Sequence, residues 1–171
     1  VVNAGVTVGC MLRAWEDLRE IPLYIAGSGP MMTYVRDAIS RRRLAHVRVL
    51  GFLGRERYED VFRNASALVV PSVCYENFPR VVVEAYARGI PVIASRMGSF
   101  QEIVHEGRTG CFFTPADAED LRRCARDIWQ GARYAEMGRN ARKLYEERYT
   151  SGMNHDMLMR IYDEARSAWH T

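Results

Sequence analysis

The sequence predicts a doubly wound α/β domain, a parallel sheet with helices on both faces. Short β-rich runs of about four residues alternate with helical patterns of about ten or more, which is the mark of βαβ units. The length of 171 residues suits a single domain, and 48% hydrophobic with 26% charged residues is an ordinary globular composition. No internal repeat or low-complexity segment interrupts the alternation.

The elements follow in chain order. Residues 7–18 read as a helix, and "LYIA" (23–26) as a buried strand. "GSGP" then turns the chain, and Pro30 suits the first turn of a helix over 31–42. "VRVL" (47–50) is a second strand, 55–64 a helix, and "ALVV" (67–70) a third strand closed by Pro71 and Ser72. Residues 78–88 read as a helix ended by Gly89, followed by a strand "VIAS" (92–95) and a short strand "CFF" (111–113). Helical stretches over 117–130, 132–148 and 152–169 complete the chain. In parallel sheets of this kind ligands bind beyond the carboxyl ends of the strands. The loops at 27–30, 51–54, 71–77 and 96–100 are therefore where a site is expected.

Charge and composition exclude several classes. The net charge of +3, from 24 basic and 21 acidic residues, is too mild to imply nucleic acid. Arg41, Arg42 and Arg43 read as a solvated helix end that complements the macrodipole. No apolar run reaches the ~18 residues of a membrane span. The start, "VVNAGVTVGCML", lacks Met and a basic flank, so it is read as the middle of something longer and not as a signal peptide. Cys10, Cys74, Cys111 and Cys124 show no CxxC spacing, and the histidines no ligand spacing. The cysteines are read as unpaired small hydrophobes in a reducing cytosol, and no metal centre is predicted.

The most informative stretch is "YENFPRVVVE", residues 75–84. On a helical wheel its apolar residues take most of the circumference, and Arg80, Glu84 and Arg88 share one polar stripe. Two readings fit. The stripe could be the exposed edge of a nearly buried helix, with Glu84 in i,i+4 ion pairs worth a few tenths of a kcal/mol. Alternatively the helix start, with Asn77 as N-cap and Pro79 in its first turn, offers amides to phosphate, while Glu84 accepts hydrogen bonds from paired sugar hydroxyls. Those two features would serve the two parts of a sugar nucleotide. Competing motifs fail: "AGSGP" has Met32 where a dinucleotide fingerprint needs its third glycine, and no Walker or GxSxG sequence occurs.

Taken together, "LYIAGSGP", "VRVLGFLG" and "ALVVPSVCYENFPRVVVEAYARGIPVIASRMGSFQEIVHEGRTGCFFTPADAEDL" resemble the nucleotide-binding half of retaining glycosyltransferases of the GT-B architecture. The likeness is to the large fourth family, the glycosyl transferases group 1, and covers residues 5–130. Its core is E-x7-E, Glu76 to Glu84, followed by "G-x-PVIAS". The resemblance implies a Rossmann-like, C-terminal donor-binding domain. Glu84 would bind the nucleotide ribose, and Glu76 would act beside the transferred sugar, stabilising positive charge. Backbone amides of Asn77, Phe78, Arg80 and Val81 would meet sugar or phosphates, Phe52 and Leu53 the base, and Gly27 and Gly29 would admit the donor closely. The implied donor is a UDP- or GDP-sugar, with no cofactor, and no metal in keeping with the lack of a DxD motif. The implied acceptor is a lipid or glycan, and the implied setting cytoplasmic, at the inner face of a membrane.

The chain departs from the family pattern in three ways. "NAG" puts Ala4 where a diphosphate-binding lysine is usual, and the accompanying arginine would precede Val1. Pro79 stands where relatives have glycine. The N-terminal acceptor domain has no counterpart in these residues, so the chain by itself is expected to bind donor weakly and transfer nothing. A degenerate interaction module and a GT-B sugar-nucleotide epimerase are the alternatives.

Overall fold

A computed structural model describes residues 4–131 and 133–169. The order is α1 (Ala4–Ala14), a 3-10 turn (Trp15–Asp17), β1 (Leu23–Ala26), α2 (Met32–Arg41), β2 (Val47–Gly51), α3 (Arg55–Arg63), β3 (Leu68–Val70) and α4 (Arg80–Tyr86). Then come β4 (Val92–Ser95), α5 (Phe100–Ile103), β5 (Gly110–Phe113), α6 (Ala118–Gln130), α7 (Tyr134–Arg148) and α8 (Ser151–Trp169). Every strand pairing is parallel. The ladders form a pair β1–β2 and a triplet β3–β4–β5, where the sequence predicts one sheet.

β4 shows why the helices lie on both faces. All four of its residues, Val-Ile-Ala-Ser, are buried, as expected of a central strand covered on both sides. Because successive side chains point to opposite faces, Ile93 enters one apolar layer and Val92 and Ala94 the other. The first layer holds Leu12 and Trp15 from the N-terminal segment, Leu23 and Val47 from β1 and β2, and Leu121 and Ile128 from α6. It thus spans both ladders with one continuous apolar layer. The second holds Val82 and Tyr86 of α4, Phe100 of α5 and Leu144 of α7. Each fully buried aliphatic or aromatic side chain contributes about 1.5–3 kcal/mol relative to exposure. Tyr86 buries its hydroxyl against Thr109 at 2.7 Å, which satisfies it within this layer.

Four expectations need correction. Helix 78–88 starts later: Pro79 occupies the N-cap position with φ −80 and ψ 83, and no side chain caps the helix. Asn77 is not the cap, because proline two residues on fixes its own φ and disfavours helical backbone before it. By contrast α6 is capped as its sequence suggests, Asp117 accepting from the amides of Glu119 and Asp120 at 2.9 and 3.1 Å. Residues 100–103 form a short helix that the sequence reading leaves as loop. Cys111 and Cys124 are paired as a disulfide, Cα atoms 5.9 Å apart, while Cys10 and Cys74 are free. The pairing arises because α6 folds back along β5, a tertiary fact that residue spacing does not carry.

Among the described residues α8 buries no side chain. Its Met153, Met157, Leu158, Ile161, Tyr162 and Trp169 are all exposed. No helix among the described residues is long and apolar enough to cross a membrane.

Candidate functional site

Parallel strands end on one edge, and the four loops singled out by sequence follow β1, β2, β3 and β4 there. The first two loops are joined by the Gly27 amide donating to Gly51 O at 2.8 Å. At this junction the β1–β2 register shifts between Ile25 and Ala26. Gly27 and Gly29 have φ of 131° and 157°, and a Cβ on either would meet no atom within 4 Å. The backbone is therefore open to close approach, in a conformation that other residues rarely adopt. Phe52 in the second loop is 81% exposed, while Leu53 is half-buried.

The third and fourth loops are also joined. The Ser99 hydroxyl donates to Glu76 O at 2.6 Å. Gly98, at φ 54°, lies so close to Tyr75 that an added Cβ would sit 3.1 Å from Tyr75 Cδ1. Glu76, Asn77 and Phe78 are exposed, with Phe78 6.3 Å from the Tyr149 ring, centroid to centroid. The Arg80 amide already donates to Phe78 O at 3.0 Å. Arg96, just past β4, pairs with Glu106 at 2.5 Å and stacks over the Phe112 ring at 4.8 Å.

Glu84 sits on α4 and is turned toward α3. One carboxylate oxygen accepts a hydrogen bond from the Tyr58 hydroxyl. The other lies 3.8 Å from Arg80 Nη2, and the side chain is 35% exposed against 85% for Arg80. Burial, reinforced by the Glu84 bond and charge, raises the Tyr58 pKa, so its phenol stays a neutral donor. The Tyr58 ring lies 4.7 Å from that of Phe62, and the Arg88 guanidinium covers Phe62 at 5.1 Å.

Arg88 completes this arrangement. It forks Glu59 through contacts of 2.6, 2.6 and 3.1 Å and donates to Glu84 O at 2.6 Å. The Arg88 hydrogen bond holds the Glu59 carboxyl below its ordinary range. The predicted polar stripe is thus half retained: Arg80 approaches the Glu84 carboxylate, but Arg88 serves Glu59 instead.

Tyr58 and Ser99 were missed by sequence reasoning, since each meets its acid across more than twenty residues, with |i−j| of 26 and 23. A concavity of about 360 Å³ lies elsewhere, between Gly89 and α7 residues such as Tyr134, Gly138 and Arg142. None of the predicted site residues lines it; an open sheet edge encloses little volume.

A parallel α/β fold with positive-φ glycines in the loop after its first strand belongs to the class of domains in which ligands bind beyond the carboxyl ends of the strands. The chain belongs to the family of glycosyl transferases group 1, which matches residues 9–144. It is 26% identical over 145 residues to the O-antigen chain mannosyltransferase C of Escherichia coli, covering 83% of this chain and 39% of that one. Among solved structures, sucrose-phosphate synthase from Thermosynechococcus elongatus superposes with a TM-score of 0.79 at 26% identity, over 94% of this chain and 42% of that one. The Anabaena protein HepE, solved with UDP and glucose, superposes with a TM-score of 0.76 at 20% identity, over 94% and 45%. The fold is therefore that of one half of a GT-B glycosyltransferase, and the chain spans less than half the length of each of these relatives.

Proposed function

We propose that this chain is the C-terminal, donor-binding domain of a retaining glycosyltransferase, and that its ligand is a nucleoside-diphosphate sugar. The observation that carries the reading is Glu84, part-buried and turned by Tyr58 toward α3, the helix that begins at the second loop. A carboxylate so placed suits a ribose diol whose base rests on Phe52 and Leu53. The open glycines Gly27 and Gly29 leave room for the donor. Glu76, with the amides of Asn77, Phe78 and Val81, lies on the same edge for the sugar and phosphates. The Arg80 amide joins that set only by giving up its bond to Phe78. HepE was solved with UDP and glucose, and the Escherichia coli relative is named a mannosyltransferase; we accordingly take the donor to be a UDP- or GDP-sugar.

In this reading Glu76 stabilises the positive charge that develops at the anomeric carbon, and polar groups of the edge stabilise the departing diphosphate. In this reading transfer retains configuration and needs no metal, which the family likeness supports. An acceptor-binding N-terminal domain would supply the other half of the active site, with a lipid or glycan acceptor. Titration calorimetry of this chain against UDP, GDP, UDP-glucose and GDP-mannose tests the reading. We expect weak binding of one nucleotide class and no sugar transfer. Binding of none would leave an interaction module in its place, and robust turnover by this chain alone would refute the two-domain reading. Glu84→Ala should weaken a ribonucleotide more than its 2′,3′-dideoxy analogue; equal losses remove Glu84 from the ribose.

A further inference from the structure

We infer that Tyr58 is a positioning residue for the nucleotide ribose: its hydroxyl holds the Glu84 carboxylate in the orientation that receives the diol. The inference rests on the donor-binding reading above and adds a residue which that reading does not require. Glutamate is a flexible side chain, and fixing it costs rotamer freedom. An acid already held in place binds a diol without that cost. Tyr58 has the means to hold it. Its hydroxyl donates to Glu84 Oε2, its ring packs against that of Phe62 at 4.7 Å with the planes tilted by 40°, and α3 is tied to the segment just past α4 by the Glu59–Arg88 fork at 2.6 Å.

The geometry leaves room for ligand. A carboxylate offers about four acceptor directions, of which Tyr58 takes one. Arg80 is a weak competitor, since it stands 3.8 Å away and is largely solvated. Tyr58 itself only donates to the acid, so it neither replaces the ribose nor blocks it.

The rival role is a plain brace between α3 and α4, and the ribo-to-dideoxy affinity ratio separates the two. Calorimetry would use UDP or GDP, whichever the wild-type chain binds (UDP standing for either), and its 2′,3′-dideoxy analogue on the wild-type chain and on Tyr58→Phe, Glu59→Gln and Glu84→Ala. Tyr58→Phe keeps the ring on Phe62 and removes one oxygen, and circular dichroism checks the fold. It should weaken UDP about three- to tenfold, the scale of one hydrogen bond, and leave the dideoxy analogue within about twofold. Glu59→Gln loosens the brace without removing a contact of the Glu84 carboxylate and should leave the ratio unchanged. If Tyr58→Phe weakens both nucleotides alike, weakens neither, or is matched in its ratio by Glu59→Gln, the positioning role is overturned. A ribose-selective loss in Glu84→Ala would then show that the donor-binding reading survives. If the wild type binds neither UDP nor GDP, or Glu84→Ala shows no selectivity, the reading itself fails and the positioning role falls with it.

Discussion

Glu84 and Glu76 belong to one spacing motif, and a side chain binds the backbone carbonyl of each, Arg88 that of Glu84 and Ser99 that of Glu76, yet only Glu84 is also held by its carboxylate. Glu84 is gripped by its carboxylate, between the Tyr58 hydroxyl and Arg80. Glu76 is gripped by its backbone, the Ser99 hydroxyl binding its carbonyl, and among the described residues no hydrogen bond reaches its exposed carboxylate. The difference fits the separate tasks we propose. An acid that binds a ground-state diol gains from being oriented in advance. An acid that must answer charge developing in a transition state needs its position fixed, with its oxygens left for the reacting centre. The contrast also explains why the Glu84 side is a network of side chains, Tyr58, Phe62, Arg88 and Glu59, while the Glu76 side is a contact between turns.

Gly98→Ala is the strongest way to break this contrast. A non-glycine residue at φ 54° costs about 1–3 kcal/mol, and the new Cβ would press on Tyr75 at 3.1 Å. Urea unfolding should show a stability loss on that scale. UDP affinity, which depends on the Glu84 side, should move less than twofold, while the extra affinity for UDP-sugar over UDP should fall. An equal loss of UDP binding would mean the two grips are not separate. Ser99→Ala is the milder form. It deletes the donor to Glu76 O but leaves an exposed carbonyl that water can satisfy, so stability should fall by only about 0.5–1.5 kcal/mol. The sugar-dependent part of the affinity should again shrink, measured by comparing UDP-glucose with UDP. Unchanged affinity for both ligands would strip Ser99 of any part in placing Glu76.

The sequence made the scaffold legible and left the grips hidden, for physical reasons. Runs such as "LYIA", "VRVL" and "VIAS" read as strands, and β1, β2 and β4 fall where they do within a residue. Of the three only β4 is buried along its length; "LYIA", read as buried, leaves Tyr24 and Ala26 exposed, and "VRVL" leaves Arg48 exposed. The acids could be singled out because helical periodicity puts Glu84 beside Arg80, and that pair forms. Periodicity also offered Arg88 as a partner, but it cannot see that Glu59, on another helix, competes better with a two-pronged fork. Asn77 looks like an N-cap by residue type; Pro79 overrules it by backbone geometry. Cys111 and Cys124 are separated by 13 residues with no signature, and only the fold-back of α6 on β5 pairs them. Tyr58 is the clearest case: a tyrosine in a charged helix carries no local sign that its hydroxyl reaches an acid on α4.

The smallest expected effect concerns the fork that fastens α3, and with it Tyr58, beside Glu84. The Arg88 hydrogen bond keeps the Glu59 carboxyl ionised to lower pH than an ordinary glutamate, whose pKa is near 4.5. A group with a depressed folded pKa adds stability that is complete above the unfolded value and disappears as pH falls through the folded one. The contribution of Glu59 should therefore be constant from neutral pH down to about 5 and fade below its ordinary value, never the reverse. Thermal unfolding of wild type and Glu59→Gln between pH 7 and pH 3 reads this directly. The wild type should have the higher midpoint near neutrality, and the gap should close on acidification. Because the pair is solvent-accessible, added salt should narrow the gap at neutral pH as well. A gap that widened as the acid protonated would mean that the carboxylate destabilises α3, and that the fork is no brace for the helix that carries Tyr58.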